Sequence, residues 1–192
     1  MKRREFITLV GGAAAWPVAA RAQQSAVPVI GFLDATTAVE TVYRVSAFRD
    51  GLKEAGFIDG HNIAIEFRWA ENKLDRLPAL AADLVHQRVA VIVGPITAMR
   101  MARAATSTIP IVFVSGGDPI TIGLVTNLSR PGGNITGVSF ASAALQPKRL
   151  GLLQELVPPP HYVAPILRGT KPGDLPVEMP TKYVNVGGGS SG

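Results

Sequence analysis

The chain has 192 residues, 47% of them apolar, no cysteine and a formal charge of +5. That length fits one ordinary domain or two small ones around a real core, and the missing cysteine excludes disulfides, thiolate metal sites and cysteine nucleophiles. Of the charge excess, +3 falls in the first 22 residues and +2 in all the rest; no Lys/Arg stripe with interleaved aromatics remains, which argues against nucleic acid as a partner.

The leader, "MKRREFITLVGGAAAWPVAARAQQ", has a basic start, an apolar stretch from Phe6 to about Ala20, and Ala20-Arg21-Ala22 as an A-x-A cleavage site. The stretch is too short and too Gly/Ala-rich to span a bilayer, which takes ~20 strongly apolar residues. Arg3-Arg4-Glu5-Phe6-Ile7 resembles the twin-arginine export signal. A signal peptide over residues 1–22 is therefore expected, removed after Ala22, with the mature protein in a bacterial periplasm.

Beyond the leader, residues 27–33, 62–69, 89–93 and 109–114 read as strands, each followed by a polar or Gly-rich break. Val45, Phe48 and Leu52 form a helical stripe that stops at Gly56, a natural C-cap. Leu77, Leu80, Ala81, Leu84 and Val85 form a cleaner stripe, with Asn72 or Asp75 available to cap it and Pro78 in its first turn. Residues 98–106 form a short Ala/Met helix, and 135–140 a fifth strand. Leu145, Leu152, Leu153 and Leu156 mark a further amphipathic helix. After it, "VPPPHYVAP" carries four prolines and "RGTKPGDLPVEMPTK" reads as an extended, non-helical connector, before a Gly/Ser tail.

Strand–helix–strand alternation makes right-handed crossovers and a parallel sheet covered on both faces. "VAVIVG" and "IPIVFV" are apolar throughout, as central parallel strands are, whereas "NIAIEFRW" alternates as an edge strand does. The expected fold is α/β, a flavodoxin-like doubly wound parallel sheet of order 2-1-3-4-5. Residues 23–140 then hold this α/β unit, with a crossover helix within 141–160 and an extended C-terminal segment with a flexible tail over 161–192.

In such a sheet, ligands bind beyond the carboxyl ends of the strands, where the strand order reverses. The loops there carry Asp34, Thr36 and Thr37 after the first strand, and Gly94 and Thr97 after the third. Ser115, Gly116, Gly117 and Asp118 follow the fourth. Free backbone N–H groups and hydroxyls suit a carboxylate or another anion. The two glycines allow close backbone approach, while Asp118 either accepts from a ligand ammonium or caps the next turn.

Enzyme readings fare poorly. The first strand leads into "GFLDATTAVE" rather than G-x-G-x-x-G, and no P-loop occurs. "GVSFA" misses the nucleophile elbow at its last residue, with no histidine placed for Ser139. Asp34 and Asp118 would stand two strands apart, roughly 10 Å, which is wide for shared acid–base work. His61, His86 and His161 have no ligand spacing, so neither metal nor cofactor is expected. Trp69, Arg68, Met99 and Met101 read as packing or solvated surface.

Several segments now carry a likeness. "AFRDGLKEAGFIDGHNIAIEFRWAENKLDRLPALAADLV", "TIPIVFVSGGDPITIGLVTNLSRPGGNITGVSF" and "KRLGLLQELVP" resemble the periplasmic substrate-binding proteins of ABC importers. The likeness is to the type I group described as tryptophan/tyrosine-import-like. It runs from about Val27 to Pro158, and "GGDP" followed by "NLSRPGGNITG" is its most specific part. The resemblance implies two α/β lobes closing over a small solute, handed on to an inner-membrane permease. Thr97 and the Gly116–Pro119 turn match the family pattern. The first loop departs from it, since the family's loop is usually rich in serine and glycine and here reads Asp34-Ala35-Thr36-Thr37. Most of a second lobe is expected to be missing between the "KRLGLLQELVP" helix and the C-terminal segment. Such a loss would expose apolar cleft wall, so the alternative reading is a non-catalytic interaction module, with a homodimer as its simplest form.

Overall fold

The computed structural model describes residues 27–140 and 160–179. The leader and the amphipathic helix expected after Phe140 lie outside the described residues. Strands β1 (Val29–Asp34), β2 (Ala64–Trp69), β3 (Val91–Pro95), β4 (Ile111–Ser115) and β5 (Ile135–Ser139) form one parallel sheet, in the order β2-β1-β3-β4-β5. This is the doubly wound order expected from the sequence. The first four strands begin two residues later than their apolar runs do. The lead-in residues join the ladder only through single bonds, as when Ala90 N–H donates to the Val29 carbonyl.

Helices α1 (Val42–Glu54), α2 (Leu77–His86), α3 (Ile96–Ala105) and α4 (Pro160–Leu167) cover the two faces. Strand residues alternate between them even where every residue is apolar. Ile30, Phe32, Val91, Val93 and Val112 face α1 and α4, where they meet Phe48, Leu52, Tyr162, Val163 and Ile166. Leu33, Ile92, Ile111 and Phe113 face α2 and α3, where they meet Leu84, Ala98, Met99 and Ala102. Burying each such large side chain contributes ~1.5–3 kcal/mol, which is why both faces need cover.

Helix α1 ends as its glycine predicts. Gly56 adopts φ +86° and donates to Lys53 O, while Phe57 N–H reaches back to Leu52 O, the paired bonds of a Schellman cap. The start of α2 differs from expectation. A 3-10 turn (Leu74–Arg76) leads into it, Arg76 occupies the N-cap, and no side chain caps the helix. Asn72 instead turns away with φ +60° and donates to Glu40 Oε2. Pro78 does sit in the first turn.

The C-terminal part also differs. Residues 161–192, expected to be extended, instead begin inside α4, which has Pro165 within it. Pro160 costs nothing at the first position, where no intrahelical N–H is needed, and burial of Tyr162, Val163, Ala164 and Ile166 outweighs the bond lost at Pro165. A turn at Arg168 and Gly169 closes α4, and the chain to 179 then carries one 3-10 turn (Pro172–Asp174). It ends against β5, where Glu178 bridges Val138, Glu178 N–H donates to Gly137 O and Ser139 N–H to Glu178 O. The two sheet edges are therefore unlike. All five residues of β5 are buried beneath this segment, while every residue of β2 is half-buried.

Candidate functional site

Because β1, β3 and β4 are parallel neighbours, their three following loops emerge along one rim. Phe32 pairs with Val93, and Pro95 with Val114, so the strands end nearly level. All nine residues singled out from the sequence lie on this rim, but they are not equally available.

The first loop is wired to itself. Asp34, the last residue of β1, is 1% exposed. Its Oδ1 accepts from the Thr36 amide (2.9 Å) and hydroxyl (2.8 Å), and its Oδ2 from Arg44 Nη2 (2.9 Å). Thr37 donates its amide (2.9 Å) and hydroxyl (2.7 Å) to Glu40. Those bonds, the hydroxyl first, hold the exposed Glu40 carboxyl below its ordinary pKa. Asp34 and Asp118 make no carboxylate pair: Asp34 is buried against Arg44, and Asp118 is exposed and bonded within its own turn.

The loop after β3 has no length at all, since α3 begins at Ile96 directly after Pro95. Gly94 makes this possible. A Cβ there would lie 2.1 Å from the Leu33 carbonyl oxygen, so only glycine lets β3 approach β1 so closely at the rim. Pro95 occupies the N-cap of α3 without a side-chain cap, so the first-turn amides keep their donors. Thr97 stands exposed in that turn, at the positive end of the helix dipole.

The loop after β4 is held from beneath. The buried Ser115 hydroxyl donates to Gly117 O (2.7 Å) and accepts from Gly117 N–H (3.1 Å). Ser139, at the end of β5, donates a second bond to Gly117 O (3.0 Å). Gly116, between Ser115 and Gly117, is half-buried. Asp118 accepts from Ile120 N–H (2.9 Å) and from the Thr121 hydroxyl (2.9 Å), and these bonds, the amide first, depress its pKa. It therefore caps its turn while its remaining lone pairs face solvent. The rim thus offers a hydroxyl and helix amides at Thr97, a glycine turn beside them, and two exposed carboxylates, Asp118 in that turn and Glu40 against the first loop.

Sequence reasoning missed two contributors. Arg44 flanks the core stripe of α1 and gives no local sign that it reaches Asp34. Ser139, considered only as a nucleophile, is a strut for Gly117. Trp69, read from the sequence as packing, is stacked on Phe67 with centroids 5.1 Å apart, and its indole N–H is fixed by the Thr41 hydroxyl. Grooves of about 350–450 Å³ open beside α1 and beside α3; none is lined by any of the nine rim residues.

The chain's relatives agree with this architecture. A family model described as ABC transporter substrate binding protein matches residues 26–160. A tyrosine-binding protein of Clostridioides difficile is 36% identical over 93 residues, which cover 48% of this chain and 27% of that protein. Among solved structures, a ligand-free, open substrate-binding protein with adhesive properties from Clostridium difficile matches with a TM-score of 0.55 at 30% identity, over 59% of this chain and 39% of that one. A Streptococcus pneumonia ABC domain in complex with L-Trp matches with a TM-score of 0.54 at 30% identity, over 58% and 38%. The chain thus spans well under half the length of these relatives. With the model covering 135 of its 192 residues, the chain belongs to the ABC transporter substrate-binding protein family.

Proposed function

We propose that the chain binds a small amino-acid-like or carboxylate solute at the rim of its sheet, without catalysis, as the exported component that delivers solute to an inner-membrane ABC permease. One observation carries this reading. The uncapped N-terminus of α3, bearing Thr97, stands beside the Gly116–Asp118 turn at the centre of a parallel sheet. The α3 amides and the Thr97 hydroxyl suit a carboxylate. Asp118, ionised and exposed, suits an ammonium. Asp34, Thr36 and Thr37 shape the adjoining wall, and Gly94 and Ser115 set the spacing of the loops. The tyrosine-binding relative and the L-Trp complex support a solute that carries both groups. The leader over residues 1–22 supports a periplasmic location.

Thermal shift against amino acids and small carboxylates tests the reading. A ligand at a hundred times its Kd stabilises by about 2.7 kcal/mol, which raises Tm by about 5–10 °C for a chain of this size. Thr97→Val removes an exposed hydroxyl, so it should leave the ligand-free Tm unchanged while abolishing most of the shift. A flat panel up to millimolar solute refutes the proposal.

A second reading, an association module, is favoured by Val39, Val42 and Tyr43, which are 58–85% exposed at the start of α1. Light scattering separates the two: a monomer whose Tm rises with solute supports the first, and a dimer that ignores solute supports the second.

A further inference from the structure

Asp34 and Arg44 are not explained by solute binding alone. A carboxylate 1% exposed at the end of a strand is costly unless it is compensated, and the compensation comes from α1, ten residues away. The guanidinium works through one nitrogen. Arg44 Nη2 donates to Asp34 Oδ2 (2.9 Å) and to the Thr36 hydroxyl oxygen (3.2 Å), while that hydroxyl donates to Asp34 Oδ1 (2.8 Å). Three residues are thereby closed into a ring beneath the first loop. Arg44 Nε is buried and has no partner among the described residues. A side chain present for packing alone would carry no such orphan donor, because a methionine would fill the space without one. The arginine is therefore suited to that position by its charge.

We propose that Arg44 is a positioning residue that sets the charge selectivity of the rim. By neutralising Asp34 and tying down Thr36, it makes the end of β1 a fixed wall without net charge, so that the exposed Glu40, held by Thr37 and Asn72, is the remaining carboxylate of the first loop. A solute with an extra ammonium then gains nothing from a carboxylate that would otherwise stand bare at the strand end. The proposal rests on the reading of the rim as a solute site, and it concerns the loop in which this chain departs from the serine- and glycine-rich pattern of the proteins it resembles.

The test is a double-mutant cycle on the full chain with Arg44→Gln, Asp34→Asn and the pair combined, probed with L-phenylalanine and 4-aminomethyl-L-phenylalanine, which differ by one ammonium. Arg44→Gln should move the ratio of the two Kd values about tenfold toward the cationic probe, the effect of one uncompensated unit charge roughly 8 Å away at an effective dielectric of about 30. Asp34→Asn should move the ratio the opposite way, and the double variant should return it to the wild-type value. Equal weakening of both probes in each single variant would mean that the pair is merely structural and would overturn the proposal. Should Arg44→Gln fail to fold, Asp34→Asn should still shift the ratio away from the cationic probe while the double variant keeps the wild-type value, and equal ratios in the two would overturn the proposal. Amide hydrogen exchange without ligand supplies a separate arm: in Arg44→Gln, Thr36 should exchange at least about tenfold faster, and unchanged exchange would remove the positioning role. If the wild type binds neither probe, the solute reading falls and the selectivity falls with it, and the exchange arm alone decides whether Arg44 positions the loop.

Discussion

Gly94→Ala is the substitution that most directly joins the fold to the rim. The added Cβ would sit 2.1 Å from the Leu33 carbonyl oxygen and 3.0 Å from Met99 Cε. An ordinary carbon–oxygen contact is about 3.3 Å, so the carbonyl must retreat by roughly 1 Å. Met99 ends in a flexible thioether and can yield. Leu33 cannot, because its strand is bonded to β2 on one side and β3 on the other. The cost should therefore lie at the upper end of the overpacking range, about 3 kcal/mol. Tm should fall by about 6–12 °C. The urea midpoint should drop by about 1–2 M at an unchanged slope near 2 kcal/mol/M. Adding Met99→Ala should rescue nothing, since the decisive clash is with backbone. A midpoint within about 0.3 M of wild type, or rescue by Met99→Ala, would refute the claim that β1 and β3 are locked together at this glycine.

Two further outcomes test the C-terminal part. At Gly51 a Cβ would lie 2.4 Å from Pro160 Cγ, so Gly51→Ala should lift α4 from α1 and raise hydrogen exchange at Tyr162, Val163 and Ile166; unchanged exchange would show that the helices do not meet there. Burial first, and the nearby Glu178 charge second, push the Tyr162 phenol well above its ordinary pKa. A raised folded-state pKa means stability present below the unfolded value near 10 and lost as pH rises beyond it, so unfolding free energy should fall on the alkaline side. Tyr162→Phe should flatten that limb, at the cost of the phenol's bonds to Pro176 O and Glu178 N–H.

What the sequence made legible follows the range of the interactions involved. The strands were readable because a buried parallel strand is a short apolar run, and their order because right-handed crossovers leave few alternatives. Asp118 was readable in part, because its partners Ile120 and Thr121 lie two and three residues away. Arg44 was not, since its role depends on how α1 lies over β1. Ser139 was not, because 22 residues separate it from Gly117. Helix α4 was misread for the same reason: local propensity scored its prolines, while the packing of Tyr162 and Val163 against Phe48 and Leu52 belongs to the folded chain.

The rim's hydroxyls make the same point about chemistry. By composition, Thr36, Thr37, Thr97 and Ser115 look like equivalent donors for a solute. In the fold, Thr36 is turned to Asp34, Thr37 to Glu40 and Ser115 to Gly117, so that each shapes a loop. Thr97 alone of the four lies, exposed, in the first turn of an uncapped helix, at the positive end of its dipole. On the proposed reading of the rim as a solute site, selectivity and affinity should therefore separate: changes in the first loop should alter which solutes are admitted, and changes at the start of α3 should alter how tightly any of them is held.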